Sequence, residues 1–124
     1  MRLNALSSNI ANMSTTRNEA GQSKPYEPRF VVFETDPQIA GQPGAAGVRV
    51  AEVGSEATDP IWKYQPGHQD AVKDGPREGW VAYPRINLMQ EFTDAIECTR
   101  AYEANVGVIE ISKDLMNQTL KILA

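Results

Sequence analysis

The sequence predicts an α+β fold in which N- and C-terminal helices form a coiled-coil-like pair, with a small β-rich, Pro/Gly-rich segment between them. All eight prolines fall between Pro25 and Pro84, and eight of the nine glycines fall between Gly21 and Gly79. Helix interiors disfavour Pro by about 3 kcal/mol and Gly by about 1 kcal/mol, so only the two ends are free to be helical. Both ends also carry apolar residues at helical spacing.

A chain of 124 residues fits one folded unit, because it is too short to build two independent cores. We divide it by composition into three segments. Residues 1–20 are predicted to form an N-terminal helix, residues 21–84 the β-rich and loop segment, and residues 85–124 a long C-terminal helix.

The C-terminal segment has the clearest helical pattern. Its apolar positions alternate steps of four and three residues from Leu88 to Leu123, broken only by Thr99 and Lys113. This is the seam pattern of a coiled coil, and a helix of that length extends roughly 50 Å at 1.5 Å per residue. The seam positions that we expect to pack against other helices are Leu88, Phe92, Tyr102, Val106, Ile109, Met116, Leu120 and Leu123.

A second apolar stripe joins the seam in the last half of this helix. It consists of Val108, Ile111, Leu115 and Ile122. The helix is therefore apolar over more than one face, and one partner helix cannot bury all of it.

The N-terminal helix is predicted from a shorter match, with Leu3, Leu6, Ile10 and Met13 spaced by three, four and three residues. These residues are expected to pack along the C-terminal helix. Because isolated helices shorter than about 12–15 residues are marginal in water, we expect this helix to fray without a partner.

The middle segment contains short β-branched and aromatic runs bounded by Gly and Pro, which is typical of strands in a small sheet or hairpin. The predicted strands are Arg29–Phe33, Gly47–Val53, Ile61–Tyr64 and Trp80–Tyr83. Between them, Asp36–Gly47 and Gln65–Gly79 are predicted loops.

Charge and composition exclude several functions. The net charge of −4 offers no broad basic surface for nucleic-acid phosphates, so no nucleic-acid partner is expected. The sequence has no run of 18 apolar residues and no N-terminal secretory signal pattern. Cys98 is the only cysteine and His68 the only histidine, too few for a zinc or iron–sulfur site, and no cofactor is expected.

An enzymatic role depends on one cluster, His68 with Asp70 and Asp74. A lone histidine in a polar loop is usually just solvated, and a metal centre generally needs three or more protein ligands. No Gly-x-Ser-x-Gly turn is present either. We therefore expect no catalytic site and no small-molecule substrate, and a small hydrolase built around His68 is one of two rival hypotheses.

Both ends of the chain resemble the flagellar axial proteins, the family of rod, hook and hook-associated subunits. The N-terminal match is Leu3–Asn12, and the C-terminal match is Arg100–Asn105 followed by Leu115–Asn117. Short runs in the middle, such as Gly47–Val50 and Tyr64–His68, occur in an order similar to that of the proximal-rod members. The motif residues that carry the resemblance are Asn9, Asn12, Arg100, Tyr102, Glu103 and Asn105.

The resemblance implies a structural subunit of the proximal rod in the periplasm-spanning flagellar basal body. It implies polymerisation through the terminal helices, which would transmit torque and form the wall of the export channel. The implied partners are other rod proteins, copies of this chain and the flagellar type III export apparatus. Family members usually carry further helical residues before the segment that matches Arg2–Asn4, so we expect a truncated N-terminal helix. A soluble coiled-coil adaptor and another axial subunit remain alternatives.

Overall fold

The computed structural model describes residues 1–36 and 47–123 and has an α+β fold, as predicted. Its elements follow the chain in the order helix, four strands, helix. They are α1 (Arg2–Ala11), β1 (Arg29–Asp36), β2 (Gly47–Ser55), β3 (Ile61–Tyr64), β4 (Trp80–Tyr83) and α2 (Leu88–Leu123).

The predicted strands are confirmed, and in the described residues they form two antiparallel pairs. β1 pairs with β2, and β3 pairs with β4. The first pair extends further than predicted, to Asp36 and Ser55, and its register shifts by one residue between Val32 and Phe33. Such a shift is a β-bulge, which bends and twists a strand locally. Most of the predicted loop Asp36–Gly47, namely residues 37–46, lies outside the described residues.

The β3–β4 pair is stabilised by aromatic and backbone contacts around a fully buried Val81. The rings of Tyr64 and Trp80 meet edge to face with centroids 5.7 Å apart, a favoured aromatic geometry. The predicted loop Gln65–Gly79 returns along this pair, where Val72 donates to the Trp80 carbonyl at 3.0 Å and Gly79 donates to the Val72 carbonyl at 2.9 Å. The loop is therefore held to the sheet by its backbone.

α2 is the long helix that the apolar pattern predicts, and at 36 residues it is about 54 Å long. Asn87 caps its start, because its side-chain oxygen accepts from the backbone N–H groups of Met89 at 3.1 Å and Gln90 at 3.4 Å. Such a cap satisfies N–H groups that have no partner within the helix.

α1 is shorter than the predicted span of residues 1–20. It ends at Ala11, where the Asn12 side chain donates to the Ser8 carbonyl at 2.9 Å and its own backbone N–H donates to the same oxygen at 3.1 Å. Asn and other short polar side chains compete with the helix for backbone groups, which favours termination here. α1 contacts α2 and β1, and its buried residues are Ala5, Leu6 and Asn9.

Candidate subunit interface

The predicted seam of α2 is solvent-exposed over most of its length in the single chain. From Thr99 to Leu123 every residue is exposed except Gly107, which is half-buried. Leu88, the first seam position, is half-buried near α1. The exposed seam positions are Phe92, Tyr102, Val106, Ile109, Met116, Leu120 and Leu123. Large exposed apolar patches are typical of interaction sites, so this surface is the candidate interface.

The second stripe lies on a different side of α2. At roughly 100° per residue, its members lie about 130° or more from the middle of the seam. All four of its side chains, Val108, Ile111, Leu115 and Ile122, are at least 59% exposed. The distal half of α2 therefore presents two apolar faces, and one partner helix cannot cover both.

One of the two edges between these faces is charged. It carries Arg100, Glu103, Glu110 and Asp114, all exposed. The opposite edge carries Asn105, Ser112 and Thr119, which are small or polar and also exposed. The distal half of α2 thus has two apolar faces and, between them on one side, a charged edge that is best left in water.

α1 covers one flank of the seam over the first three turns of α2. The Arg2 guanidinium lies 3.6 Å from the Asp94 carboxylate. The α2 residues that are half-buried in these turns are Leu88, Glu91, Asp94, Ala95 and Cys98. The other flank stays open, and Phe92 lies there beside Ile96 in a surface groove of about 340 Å³.

The four predicted packing residues of α1 differ in burial. Leu6 is buried and Ile10 is half-buried, whereas Leu3 and Met13 are each 40% exposed. The remaining buried positions are filled by Ala5 and Asn9. A search for large apolar side chains misses both, because one is small and the other is polar.

Asn9 joins three elements of the chain through its side-chain amide. Its nitrogen donates to the Arg29 carbonyl at 3.0 Å and to the Glu91 carboxylate at 3.2 Å. Its oxygen accepts from the Arg29 backbone N–H at 2.8 Å and from the Tyr26 hydroxyl at 3.1 Å. Asn9 is only 3% exposed, and these four bonds use the amide's full capacity.

The other motif residues have different positions. Asn12 terminates α1, and its side-chain oxygen also accepts from the Thr15 hydroxyl at 3.1 Å. The C-terminal motif residues Arg100, Tyr102, Glu103 and Asn105 are all exposed on α2, remote from α1. Within the described part of the chain, Asn9 and Asn12 thus make internal side-chain hydrogen bonds, whereas the four motif residues of α2 face solvent.

Asp70 links the loop between β3 and β4 to the connection between α1 and β1. Its buried carboxylate accepts from the Thr16 hydroxyl at 2.8 Å and from the Arg17 guanidinium, and its carbonyl accepts from Ser23 at 3.2 Å. Burial alone would raise the pKa of Asp70. The hydrogen bonds from Arg17 and Thr16, together with the positive charge of Arg17, outweigh burial, so the net pKa of Asp70 is lowered.

His68 lies beside Asp70 and contacts both its backbone and its carboxylate. Its Nδ1 accepts from the backbone N–H of Asp70 at 3.1 Å and lies 3.9 Å from the Asp70 carboxylate. Within residues 1–36 and 47–123, no three His, Cys, Asp or Glu residues form a group that could hold a metal ion.

The β1–β2 hairpin contributes another exposed apolar surface. Directly paired residues of an antiparallel sheet share a face. The pairs Val31 with Val53 and Phe33 with Val50 therefore lie on one side. Phe33 and Val53 are about half exposed.

As for membrane insertion, the described helices include none that is both long and apolar enough to cross a bilayer.

Comparisons with known proteins find similarity in the segment that carries the α2 surfaces. A family model described as the C-terminal region of flagellar basal body rod FlgEFG proteins matches residues 77–122, which include β4 and nearly all of α2. All exposed seam residues of α2 except Leu123, together with the second stripe, thus lie within the matched region.

Individual relatives match over nearly the whole chain. The flagellar basal-body rod protein FlgC of Borreliella burgdorferi is 34% identical over 99% of this chain and 87% of its own length. FlgC of Escherichia coli O6:H1 is 36% identical over 98% of this chain and 84% of its own length. FlgC of Bacillus subtilis is 31% identical over 98% of this chain and 87% of its own length.

Proposed function

This chain belongs to the FlgC family of flagellar basal-body rod proteins, and from this premise we propose that it polymerises through its terminal helices as a non-enzymatic subunit of the proximal rod. The observation that carries the proposal is the pair of apolar faces on α2, which the single chain leaves exposed beyond Cys98. A subunit of a packed tubular wall has neighbours on more than one side. A helix with two apolar faces suits that position.

The size of the exposed surface favours several neighbours over one. Fully burying a large apolar side chain is worth about 1.5–3 kcal/mol. The six exposed seam residues from Tyr102 to Leu123, partly covered already, would then contribute about 5–11 kcal/mol in total. Association itself costs about 4–15 kcal/mol. The free energy gained by burying the seam alone therefore roughly equals the cost of association. Burying the second apolar face as well makes assembly favourable.

The partners proposed from this arrangement are copies of the same chain and other rod proteins, each covering one apolar face of α2. The charged edge of Arg100, Glu103, Glu110 and Asp114 is then left for water. In a tube of such helices, we assign this edge to the lumen of the export channel. The same packed helices would carry torque along the rod, and the chain would reach its position through the type III export apparatus.

The test compares acidic substitutions on the seam with a matched one on the charged edge. Val106→Asp and Ile109→Glu should abolish swimming, because a buried unpaired carboxylate costs several kcal/mol. Glu110→Asp, which places the same side chain one turn from Val106 on the charged edge, should leave swimming intact. Each variant is made in the chromosomal gene, and its level and export are measured by immunoblot. Normal swimming of both seam variants would refute packing through this face.

A further inference from the structure

The helix pair and the β1–β2 hairpin meet where Asn9 lies. Ala5 and Leu6 are the apolar residues buried on α1 beside it, and their contacts are non-directional. Apolar contacts of this kind permit sliding and rotation, so they leave the angle between hairpin and helices weakly specified. Asn9 supplies four directional bonds at the same place.

The bonds to Arg29 have a particular form. Asn9 both donates to the carbonyl and accepts from the N–H of this one residue, which is the first residue of β1. Neighbouring strands exchange bonds with a residue in the same way, so the amide of Asn9 stands in for a strand at the end of β1. Ionised aspartate cannot donate and leucine can neither donate nor accept, whereas the two ends of an amide bond both groups at once.

We infer that Asn9 is the positioning residue that fixes the angle of the β1–β2 hairpin relative to the α1–α2 pair. Its amide nitrogen bonds β1 and α2 at once, through the Arg29 carbonyl and the Glu91 carboxylate. The Tyr26 hydroxyl holds the amide oxygen and also lies 3.1 Å from the Ser8 hydroxyl on α1. A single buried polar residue can define the register of helices in this way, at some cost in stability.

The consequence concerns the two exposed apolar surfaces. The hairpin surface around Phe33 and the seam of α2 lie on elements that Asn9 connects, so their relative orientation is set within one chain. A neighbouring molecule that contacts both surfaces requires that orientation. The bonds of Asn9 all lie within one chain, so this orientation does not depend on polymerisation.

The experiment measures the distance between the hairpin and α2 in the full chain. Spin labels are attached to cysteines at two exposed positions, Glu52→Cys on β2 and Glu97→Cys on α2, with Cys98→Ser to remove the native thiol. Pulsed electron paramagnetic resonance should give a single narrow distance with Asn9 present. Asn9→Leu, of similar size, should split or broaden that distribution while the chain still unfolds cooperatively in urea, as followed by tryptophan fluorescence. Asn4→Leu, the same change at an exposed position of α1, should leave it narrow.

A second pair of variants tests the bond to α2 separately. Asn9→Asp loses both donated bonds and brings a second carboxylate close to Glu91, so it should broaden the distribution. Adding Glu91→Gln supplies an amide donor opposite that carboxylate and should narrow the distribution again. An unchanged distribution in Asn9→Leu would overturn the inference. If Asn9→Leu fails to fold, the outcome is decided by the second pair, where no narrowing upon Glu91→Gln overturns it.

Discussion

Replacing Gly79 with alanine should destabilise the β3–β4 region by about 2–3 kcal/mol, for two separable reasons. The first is the backbone, because Gly79 has φ of 79°. A residue with a Cβ in this left-handed region costs about 1–2 kcal/mol. The second is space, because a Cβ at Gly79 would lie 2.8 Å from Cε2 of Tyr64 and 3.3 Å from Cβ of Pro66.

The contact with Tyr64 is tighter than ordinary carbon–carbon separations of about 3.5–4.0 Å. Overpacking typically costs about 1–3 kcal/mol. Tyr64 is 63% exposed, so its ring can shift toward solvent, but this shift disturbs its edge-to-face contact with Trp80. We therefore expect the steric cost near the lower end, with a total of about 2–3 kcal/mol out of the 5–15 kcal/mol typical of small domains.

Two other glycines distinguish the backbone cost from the steric cost. Gly21 has φ of 74° with nothing within 4 Å of its added Cβ, so Gly21→Ala tests the backbone alone. Gly67 has neither a positive φ nor a neighbour within that distance, so Gly67→Ala should be nearly neutral. The assay is urea unfolding followed by the fluorescence of Trp62 and Trp80. Equal loss in Gly79→Ala and Gly21→Ala would refute the steric argument, and no loss in Gly21→Ala would refute the backbone argument.

Three further predictions concern amide exchange in α2, the stability contribution of Asp70 and the role of His68. Amide exchange in the monomeric chain should be slower in Met89–Cys98, beside α1, than in Val106–Leu123. Equal protection along α2 would contradict our view that the distal half lacks its partners. Asp70→Asn should lower the free energy of unfolding at neutral pH, and its difference from wild type should shrink as pH falls below about 4. The native pKa of Asp70 is lowered, so its stabilisation is present above the unfolded-state pKa and lost as the native carboxylate protonates; a pH-independent difference would disprove this account. His68→Ala should leave peptidoglycan hydrolysis at the background level of wild type, and elemental analysis should find no stoichiometric metal; wild-type hydrolysis that disappears in the variant would support the hydrolase hypothesis.

The regular elements were largely predictable because their signals are local. Helix α2 has the bounds that the apolar period gives, Leu88 to Leu123, since periodicity and the lack of Pro report directly on one element. β3 and β4 likewise have their predicted bounds. α1 ended early, at Ala11, because a side-chain bond from Asn12 competes with helix continuation and leaves no trace in the apolar pattern.

The candidate interface was predictable only as a set of faces. The spacing of apolar residues identifies the seam and the second stripe of α2, because both follow from helix geometry. It does not identify which flank α1 covers, since Leu88, Phe92 and Ala95 fit the seam equally well. The packed structure covers Leu88 and Ala95 and leaves Phe92 exposed.

The sequence by itself determined the order of elements, the length of α2 and the family motif that includes Asn9. Only the tertiary structure decided what Asn9 and Asp70 do. Asn9 bonds Glu91 across 82 residues of chain, and Thr16 bonds Asp70 across 54. Hydrogen bonds over such separations depend on the path of the whole backbone, whereas helical period and turn composition depend only on neighbouring residues. A buried amide and a buried carboxylate therefore acquire their partners, and with them their roles, only when the chain has folded.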